Sequence, residues 1–469
     1  MDSLVALRRM VTENRSDIVN ALCDDLGRSS FEADALDVIP FLMEVDHAMA
    51  NLRSWMRPEY GNVPLVMSPA VSETRSVPLG VVLIIGPFNY PISLLLSPLV
   101  GAIAAGNCAV LKPSEMTTAC EKIMDKLMRK YMDPACFCVV TGDHEVSSAL
   151  LELRWDKIFF TGSTRVGKIV LKAAANFLTP VVLELGGKSP VIIDESVTDM
   201  VLLSKRLVWG KFANCGQTCI APDYVLCHES KYEELLAACK SRIVEFYGSN
   251  PKESKDYARI VTKSHCERLM NMLKKFNGST VTGGFEKADI TTKYIPPTVL
   301  CDVKFDSSVM ESEIFGPILP VMKYSNVDEV IDSINKAELA QPLALYIFSK
   351  NRPNIDKISS AVLAGGVVIN DTLFGAGSSF LPFGGVGQSG MGRYHGKDSF
   401  DAFSHQQSVL RRHDWWWLDV PFRFPPYHDF GLRVFKLAAS LPAQPHVSPS
   451  TFKFGLLLSC IALGASFLF

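Results

Sequence analysis

The chain has no excess of basic residues, and this excludes one large class of function. Its 469 residues include 47 lysines and arginines against 49 aspartates and glutamates, a formal net charge of -2. Binding to a nucleic-acid backbone needs surplus positive charge, so we predict no nucleic-acid partner. Charged residues make up only 20% of the chain and hydrophobic residues 48%. This composition indicates a globular protein, and the length suggests two or three domains at roughly 100–200 residues each.

Cysteine is too sparse for a disulfide framework. The 12 cysteines are scattered through apolar segments, whereas small secreted domains carry a dense pattern. The N-terminal segment lacks the apolar stretch that directs secretion. We therefore expect free thiols in a cytosol-facing body. Zinc is a weak alternative, because no histidine pair stands at ligand spacing near the closely spaced cysteines at 136, 138, 215 and 219.

Short apolar runs alternate with helical stretches along most of the chain. Residues 80–86 and 108–112 read as buried strands, and a helical pattern over 91–105 separates them. Strands and helices that alternate at this spacing predict βαβ units around a parallel sheet, and hence an α/β fold. A second series of strands and helices predicts another α/β domain over about residues 186–395.

The N-terminal region has a different pattern. Residues 1–56 have apolar side chains at helical spacing and predict helices. Residues 62–77 are polar and contain two prolines, so they could form either a hairpin or a linker.

The segment Asn214-Cys-Gly-Gln-Thr-Cys-Ile220 contains candidate nucleophiles. A thiolate is a strong nucleophile near neutral pH, and covalent catalysis needs one on a fixed turn. Gly216 gives the backbone the freedom for such a turn. Cys215 and Cys219 are both candidates, and either could instead be a buried structural cysteine.

Glu184 ends an apolar run and precedes two glycines, an unusual place for a charge. Burial raises the pKa of a carboxyl group and can make it a general base. The alternative is a glutamate that forms an ion pair or caps a loop.

Two loops follow predicted strands at the edge where open α/β sheets bind ligands. Asn89 lies in the first loop, where its amide could stabilise an oxyanion or merely form an Asx-turn. Gly162 to Lys168 lies between a strand and a helix, which favours binding of phosphate oxygens. It is not a P-loop, because Ile169 stands where magnesium binding requires Ser or Thr.

Taken together, these stretches resemble the aldehyde dehydrogenase superfamily, over roughly residues 3–408. The similarity is greatest to its class 3 branch, which includes the fatty aldehyde dehydrogenases. The motifs, in the family's order, are Gly86-Pro-Phe-Asn-Tyr-Pro91, Lys112-Pro-Ser-Glu115, Phe160-Thr-Gly-Ser-Thr-Arg-Val-Gly167, Glu184-Leu-Gly-Gly-Lys188, Asn214-Cys-Gly-Gln-Thr-Cys219, Glu313-Ile-Phe-Gly-Pro317 and Pro382-Phe-Gly-Gly-Val-Gly387.

The resemblance implies an α/β architecture with three parts. We expect a Rossmann-like NAD-binding domain over residues 1–185, with a bridging hairpin near 58–80, and a catalytic domain over 186–395. A bridging segment and an amphipathic helix would occupy 396–441. The resemblance also implies a homodimer.

The resemblance further implies a role for each site residue. Cys219 would be the nucleophile, Glu184 the base that activates water, and Asn89 an oxyanion donor, with no metal involved. The residues implied in cofactor binding are Lys112, Glu115, Gly162, Ser163, Val166, Gly167, Glu313 and Phe315. The cofactor would be NAD, because a carboxylate such as Glu115 bonds the ribose 2′-OH and repels a 2′-phosphate, although NADP stays possible. The substrate would be a medium- to long-chain aliphatic aldehyde.

The C-terminal tail predicts attachment to a membrane. Residues 429–441 could form an amphipathic helix, which the resemblance places near the substrate entrance, and 442–451 read as a linker. Residues 454–469 carry no charge, and 452–469 approach the length of about twenty residues that spans a bilayer. We expect a tail-anchored protein on the cytosolic face of the endoplasmic reticulum. A buried core helix is the alternative.

Two other functions compete with this prediction. One is an acylating dehydrogenase, in which coenzyme A rather than water resolves the thioester. The other is a catalytically silent, membrane-bound binding protein on the same fold.

Overall fold

The structure, a computed structural model, describes residues 1–64, 67, 70–337, 340–376, 378, 380–412, 414 and 423–442. It divides into two compact units. The first consists of Met1–Leu52 and Pro78–Phe403, and the second of Arg53–Val77 with the described residues from Ser404 onward.

Most of the helices belong to the first unit, and α16 lies in the second. In chain order the described helices are α1 (Asp2–Glu13), α2 (Arg15–Leu26), α3 (Ser30–Ala33), α4 (Ile39–Trp55), α5 (Ser93–Ala104), α6 (Thr118–Tyr131), α7 (His144–Leu151), α8 (Thr164–Ala175), α9 (Met200–Phe212), α10 (Tyr232–Tyr247), α11 (Lys263–Lys275), α12 (Val327–Lys336), α13 (Arg352–Ala361), α14 (Leu373–Ala376), α15 (Gly396–Ala402) and α16 (Asp429–Ser440).

The strands alternate with these helices through most of the first unit. The described strands are β1 (Glu59–Gly61), β2 (Ala70–Pro78), β3 (Val81–Ile85), β4 (Cys108–Lys112), β5 (Phe137–Val139), β6 (Lys157–Thr161), β7 (Val181–Glu184), β8 (Pro190–Ile193), β9 (Tyr224–His228), β10 (Ser279–Thr282), β11 (Thr298–Cys301), β12 (Ile318–Tyr324), β13 (Ala344–Phe348), β14 (Gly366–Ile369), β15 (Gly390–Met391) and β16 (Ser404–Arg412).

The N-terminal region is helical, which confirms the prediction for residues 1–56. In α1, the side chains of Leu4, Leu7, Met10 and Val11 are buried, at the spacing of a single helix face. A π-helical turn over Asp34–Val38 joins α3 to α4 without leaving the helical region. Such turns are rare and often occur at functional sites.

The first sheet has the strand order of a dinucleotide-binding fold. Among the described strands the order is β15-β7-β6-β3-β4-β5, with β3 to β7 parallel and β15 antiparallel. From β3 the chain builds outward through β4 and β5, then returns to place β6 on the other side of β3. Ligands bind at such a switch point, beyond the carboxyl ends of the strands.

The second sheet lies in the same unit and is mostly parallel. Its described strands run in the order β10-β11-β12-β9-β8-β13-β14, and β10 pairs antiparallel with β11. Strand β13 is buried along its whole length. A parallel strand covered on both faces is expected to be an unbroken apolar run, as this one is.

The predicted boundary at 185/186 falls between the last parallel strand of one sheet and the first strand of the other. Strand β7 ends at Glu184 and β8 begins at Pro190. The chain nevertheless returns to the first sheet at Gly390, which pairs with Glu184 through β15. Local pattern cannot show such a pairing, because it joins segments far apart in the chain. The functional division of the chain into domains remains a prediction.

The second unit contains a small sheet and one described helix. Strands β1 and β2 pair antiparallel, so the polar segment around 62–77 contributes to a hairpin rather than a linker, and β16 adds the third strand. Helix α16 confirms the helix predicted at 429–441. Its Phe430, Leu432, Phe435 and Leu437 are all exposed.

The predicted membrane anchor at 452–469 lies outside the described residues, as does most of the linker at 442–451. Within the ranges that are described, no helix combines the length and the apolarity that crossing a bilayer requires.

Candidate active site

The loop after α9 distinguishes between the two candidate cysteines. Asn214, Cys215 and Gly216 all have left-handed backbone, with φ of 50°, 53° and 73°. The resulting sharp turn leaves Cys215 fully buried in the core, at 0% exposure. Cys219 is partly exposed, so it is the more accessible of the two residues.

Two carboxyl groups, the buried Glu184 and the half-buried Glu313, lie within electrostatic reach of Cys219. Burial, together with the charges of Glu313 and then Glu184, raises the pKa of Cys219 to about 12. Glu184 ends β7 at 3% exposure, and burial raises its pKa well above the usual range. In the described part of the chain, neither of its carboxyl oxygens has a hydrogen-bond partner. Among the described residues Glu184 therefore forms no ion pair.

The loop that carries Asn89 is tied to the cysteine loop. Asn89 follows β3 and is 3% exposed. The side-chain Nδ2 of Asn214 donates to the backbone carbonyl of Asn89 at 2.9 Å. The hydroxyls of Tyr90 and Thr218 are 2.7 Å apart. These bonds bring the residue next to Asn89 into contact with the residue next to Cys219.

Glu313 and Phe315 lie on a strained loop beside the same site. Phe315 has φ of +48°, which is uncommon for a residue with a side chain. Its ring lies 5.7 Å from that of Phe88, in the Asn89 loop. Burial, followed by repulsion from Asp223, raises the pKa of Glu313 to about 8, while the backbone N–H of Gly187 bonds to its carboxyl group.

Three charged side chains that we did not predict hold the loop of Glu313. Arg268 donates to the carbonyl of Ile314 at 2.6 Å, and Asp223 accepts from the Ile314 N–H at 3.0 Å. Lys188 in turn donates to Asp223. In the sequence Arg268 lies on a helix with many charges, so it reads as a surface residue. Asp223 lies between apolar stretches, and a charge in that position could have identified it as a buried residue.

Lys211 is a further buried charge absent from the prediction. It is fully buried near the end of α9, and within the residues described its Nζ has no hydrogen-bond partner. Burial is the main cause that lowers its pKa, to about 8. A lysine in the apolar run Leu-Val-Trp-Gly-Lys-Phe was the sequence signal that could have identified it.

Lys112 and Glu115 stand together at the carboxyl end of β4. Lys112 is 1% exposed, and its Nζ lies 3.5 Å from a carboxylate oxygen of Glu115. The Glu115 side chain is 40% exposed. A buried cation and an accessible carboxylate at the edge of the sheet suit the hydroxyl groups of a ribose.

The start of α8 forms a cradle suited to phosphate. Ser163 caps the helix, and its hydroxyl accepts from the Val166 N–H at 3.4 Å. Gly162 precedes it, directly after β6. A Cβ atom at Gly167 would lie 2.5 Å from the Leu185 side chain, so the glycine allows close packing of the helix on the sheet. Free N–H groups at a helix start attract anions.

Comparison with known proteins identifies the family of the chain. Residues 2–409 match the Aldehyde dehydrogenase family. The chain belongs to the aldehyde dehydrogenase family. It is 46% identical to aldehyde dehydrogenase family 3 member B1 of Rattus norvegicus over 93% of this chain and 92% of that protein. It is 47% identical to aldehyde dehydrogenase family 3 member A2 of Macaca fascicularis over 87% and 83% of the respective chains. These relatives confirm the class 3 branch.

Solved structures confirm the aldehyde dehydrogenase fold. The substrate-bound state of AldH from Staphylococcus aureus shares 42% identity with a TM-score of 0.89, and the match covers 93% of each chain. The NAD+ complex of aldehyde dehydrogenase from Bacillus cereus shares 27% identity with a TM-score of 0.77, over 87% of this chain and 83% of that one.

Replacing Glu184 with glutamine should stabilise this aldehyde dehydrogenase increasingly as the pH rises. The pKa of Glu184 is raised in the folded state, whereas it is about 4.3 in an unfolded chain. Above about pH 4.3 the folded wild type therefore holds more protons, and its free energy of unfolding falls by up to roughly 1.4 kcal/mol per pH unit. Because glutamine does not titrate, the Glu184→Gln variant does not lose free energy of unfolding in this way.

Urea unfolding at a series of pH values measures the difference between Glu184→Gln and the wild type. We expect the gap to open from about pH 4.3 upward. Glu152→Gln, at an exposed position after α7, is the matched control and should show no such gap. A gap that is constant or that closes with rising pH contradicts the buried-carboxyl explanation.

Proposed function

We propose that the chain oxidises aliphatic aldehydes to carboxylic acids with NAD, through a covalent intermediate on Cys219. The observation that carries the proposal is a partly exposed cysteine near a buried carboxyl group that has no hydrogen-bond partner among the described residues. Glu184 has a raised pKa and no partner among the described residues, and its charge acts on Cys219. A carboxyl group in that condition is suited to remove a proton from water.

Cys219 begins the reaction once its thiol has lost a proton. The thiolate forms a bond to the aldehyde carbon, and the carbonyl oxygen becomes an oxyanion. Asn89 and the backbone N–H of Cys219 would stabilise this charge. Support comes from the bonds that join the Asn89 loop to the Cys219 loop.

The dinucleotide would lie along the carboxyl ends of β3, β4 and β6. Ser163 and the N–H groups of α8 would hold the pyrophosphate, with Val166 near the adenine, and Lys112 and Glu115 would hold the adenine ribose. Glu313 and Phe315 would position the nicotinamide ribose. When bound, NAD supplies the acceptor for the hydride that leaves the former aldehyde carbon. The exposed Glu115 carboxylate supports NAD over NADP.

Glu184 would complete the reaction. Loss of hydride leaves a thioester on Cys219. Glu184 takes a proton from water, the hydroxide oxygen bonds to the thioester carbon, and the carbon–sulfur bond breaks. The products are the carboxylic acid and the free thiol. In sum, aldehyde, NAD+ and water yield acid, NADH and a proton.

We further propose that the substrates are medium- and long-chain aldehydes and that the enzyme acts at a membrane. Support comes from the uncharged tail at 454–469 and from the exposed apolar side chains of α16, Phe430 at 77% and Leu437 at 65% exposure. We propose a tail-anchored homodimer on the cytosolic face of the endoplasmic reticulum. We also propose that residues 1–185 bind NAD and that 186–395 supply the catalytic cysteine.

Replacing Cys219 with serine should lower NADH formation on the order of a thousandfold or more, because a hydroxyl is a far weaker nucleophile. The assay mixes purified protein, NAD and dodecanal without coenzyme A, and follows NADH absorbance. Cys215→Ala is the matched control and should retain activity. A wild type that needs coenzyme A would be an acylating enzyme, and a wild type inactive under both conditions would be a silent binding protein.

Replacing Asn89 with alanine should slow turnover by roughly a hundredfold, since an oxyanion donor is typically worth about 3 kcal/mol. The decrease should be in kcat, with the dissociation constant for NAD little changed. A loss confined to NAD binding would argue against the oxyanion assignment.

Deleting residues 452–469 should release the protein into the soluble fraction without loss of activity on hexanal. Fractionation of cells that express the full and shortened chains measures the release. Comparison of hexanal, dodecanal and hexadecanal then tests the chain-length preference. Continued membrane binding of the shortened chain would refute the anchor.

A further inference from the structure

A buried ion pair adjoins the loops that carry Asn89 and Cys219. It lies in a segment without a role in the proposed mechanism. The side chains of Arg28 and Asp37 are both fully buried and lie 3.2 Å apart. Arg28 follows α2, and Asp37 belongs to the π-helical turn. Desolvation of such a pair costs several kcal/mol unless every group is well bonded. The position of the pair therefore calls for a functional explanation.

The guanidinium of Arg28 bonds to three separate segments. Its Nε donates to the side-chain oxygen of Asn214 at 2.8 Å. One Nη donates to Asp37, and the other donates to the backbone carbonyl of Asn89. Because the guanidinium group is planar and rigid, these bonds fix the segments relative to one another.

Asn214 joins the same two loops a second time. Its Nδ2 donates to the carbonyls of Asn89 and Gln217, at 2.9 Å and 3.0 Å. Its backbone N–H donates to the carboxylate of Glu32 at 2.5 Å. The left-handed backbone of Asn214 is thus held by side chains from the N-terminal segment.

Asp37 and Tyr90 extend the network around the Asn89 loop. Asp37 accepts from the backbone N–H of Ser93 at 2.6 Å, where that loop enters α5. The Tyr90 ring lies 4.6 Å from the Arg28 guanidinium carbon, and its hydroxyl contacts Thr218. Arg28 therefore lies at the centre of a connected set of bonds that adjoins both Asn89 and Cys219.

We propose that Arg28 is a positioning residue that sets the Asn89 amide against Cys219 for oxyanion stabilisation. The inference rests on the proposed function, since it requires Cys219 as nucleophile and Asn89 as donor. Displacement of a reacting group by about 1 Å can cost a hundredfold in rate. A lysine at this position keeps the positive charge but loses the rigid planar fork, so it cannot reproduce the directions of the three bonds.

Arg15 provides a matched control. It forms a bidentate pair with Asp34 at 2.7 Å and 2.6 Å, on the same π-helical turn. Its side chain is 42% exposed, so the pair stabilises the segment from the solvent side. Arg15→Lys removes a fork from the segment but leaves the Arg28 network in place.

The first experiment compares Arg28→Lys with Arg15→Lys in two reactions of Cys219. Acylation by a p-nitrophenyl ester, without NAD, passes through an oxyanion, whereas alkylation by iodoacetamide does not. We expect Arg28→Lys to slow acylation by roughly tenfold to a hundredfold, with alkylation little changed. Arg15→Lys should alter neither rate. Equal losses in both reactions, or no loss in acylation, would overturn the proposal.

The second experiment repeats the change in an Asn89→Ala background. If Arg28 acts through Asn89, Arg28→Lys should cause little additional loss of acylation there. Losses that multiply would show a general structural role and refute the proposal. Thermal unfolding of each variant verifies that the folded protein is assayed. If Cys219→Ser left the wild-type NADH activity intact, the proposed function itself would fail, which is a separate outcome from failure of the Arg28 tests alone.

Discussion

The burial of ionisable groups around one thiol is the constraint on which the site depends. Cys219, Glu184 and Glu313 share a poorly hydrated space, and each has a raised pKa. Removing a proton from any one of them is harder while the others are charged, since like charges repel strongly where water is scarce. Burial therefore favours the neutral form of each of these groups.

The first sheet positions several of the site residues with little local freedom. Glu184 ends β7, Lys112 ends β4, and the loops of Asn89 and Ser163 begin where β3 and β6 end. The carboxyl ends of parallel strands share one edge of a sheet, so a single edge gathers these side chains. Groups held by strands keep their spacing more accurately than groups on long loops.

Charged side chains, rather than apolar packing alone, hold the loops that the sheets do not. Arg268 and Asp223 fix the backbone beside Glu313, and Arg28 and Asn214 fix the carbonyl of Asn89. Loops that run over buried sites expose backbone groups that need partners. A guanidinium meets several carbonyls at once, which an apolar side chain cannot do. Both sets of bonds adjoin residues to which we assign a role in the proposed reaction.

The sequence by itself was sufficient for the α/β class, the family, and the prediction of Glu184, Asn89 and the Cys219 segment as site residues, because periodicity and short motifs are local properties. From the residues alone it could not choose between Cys215 and Cys219, which differ in exposure only after α9 ends in a left-handed turn. It also missed Arg28, Arg268 and Lys211, and the return of β15 to the first sheet. Arg28, Arg268 and β15 bond to segments far away along the chain, and the burial of Lys211 is likewise a property of the folded core. Only tertiary packing therefore decides which charge is buried and what it contacts.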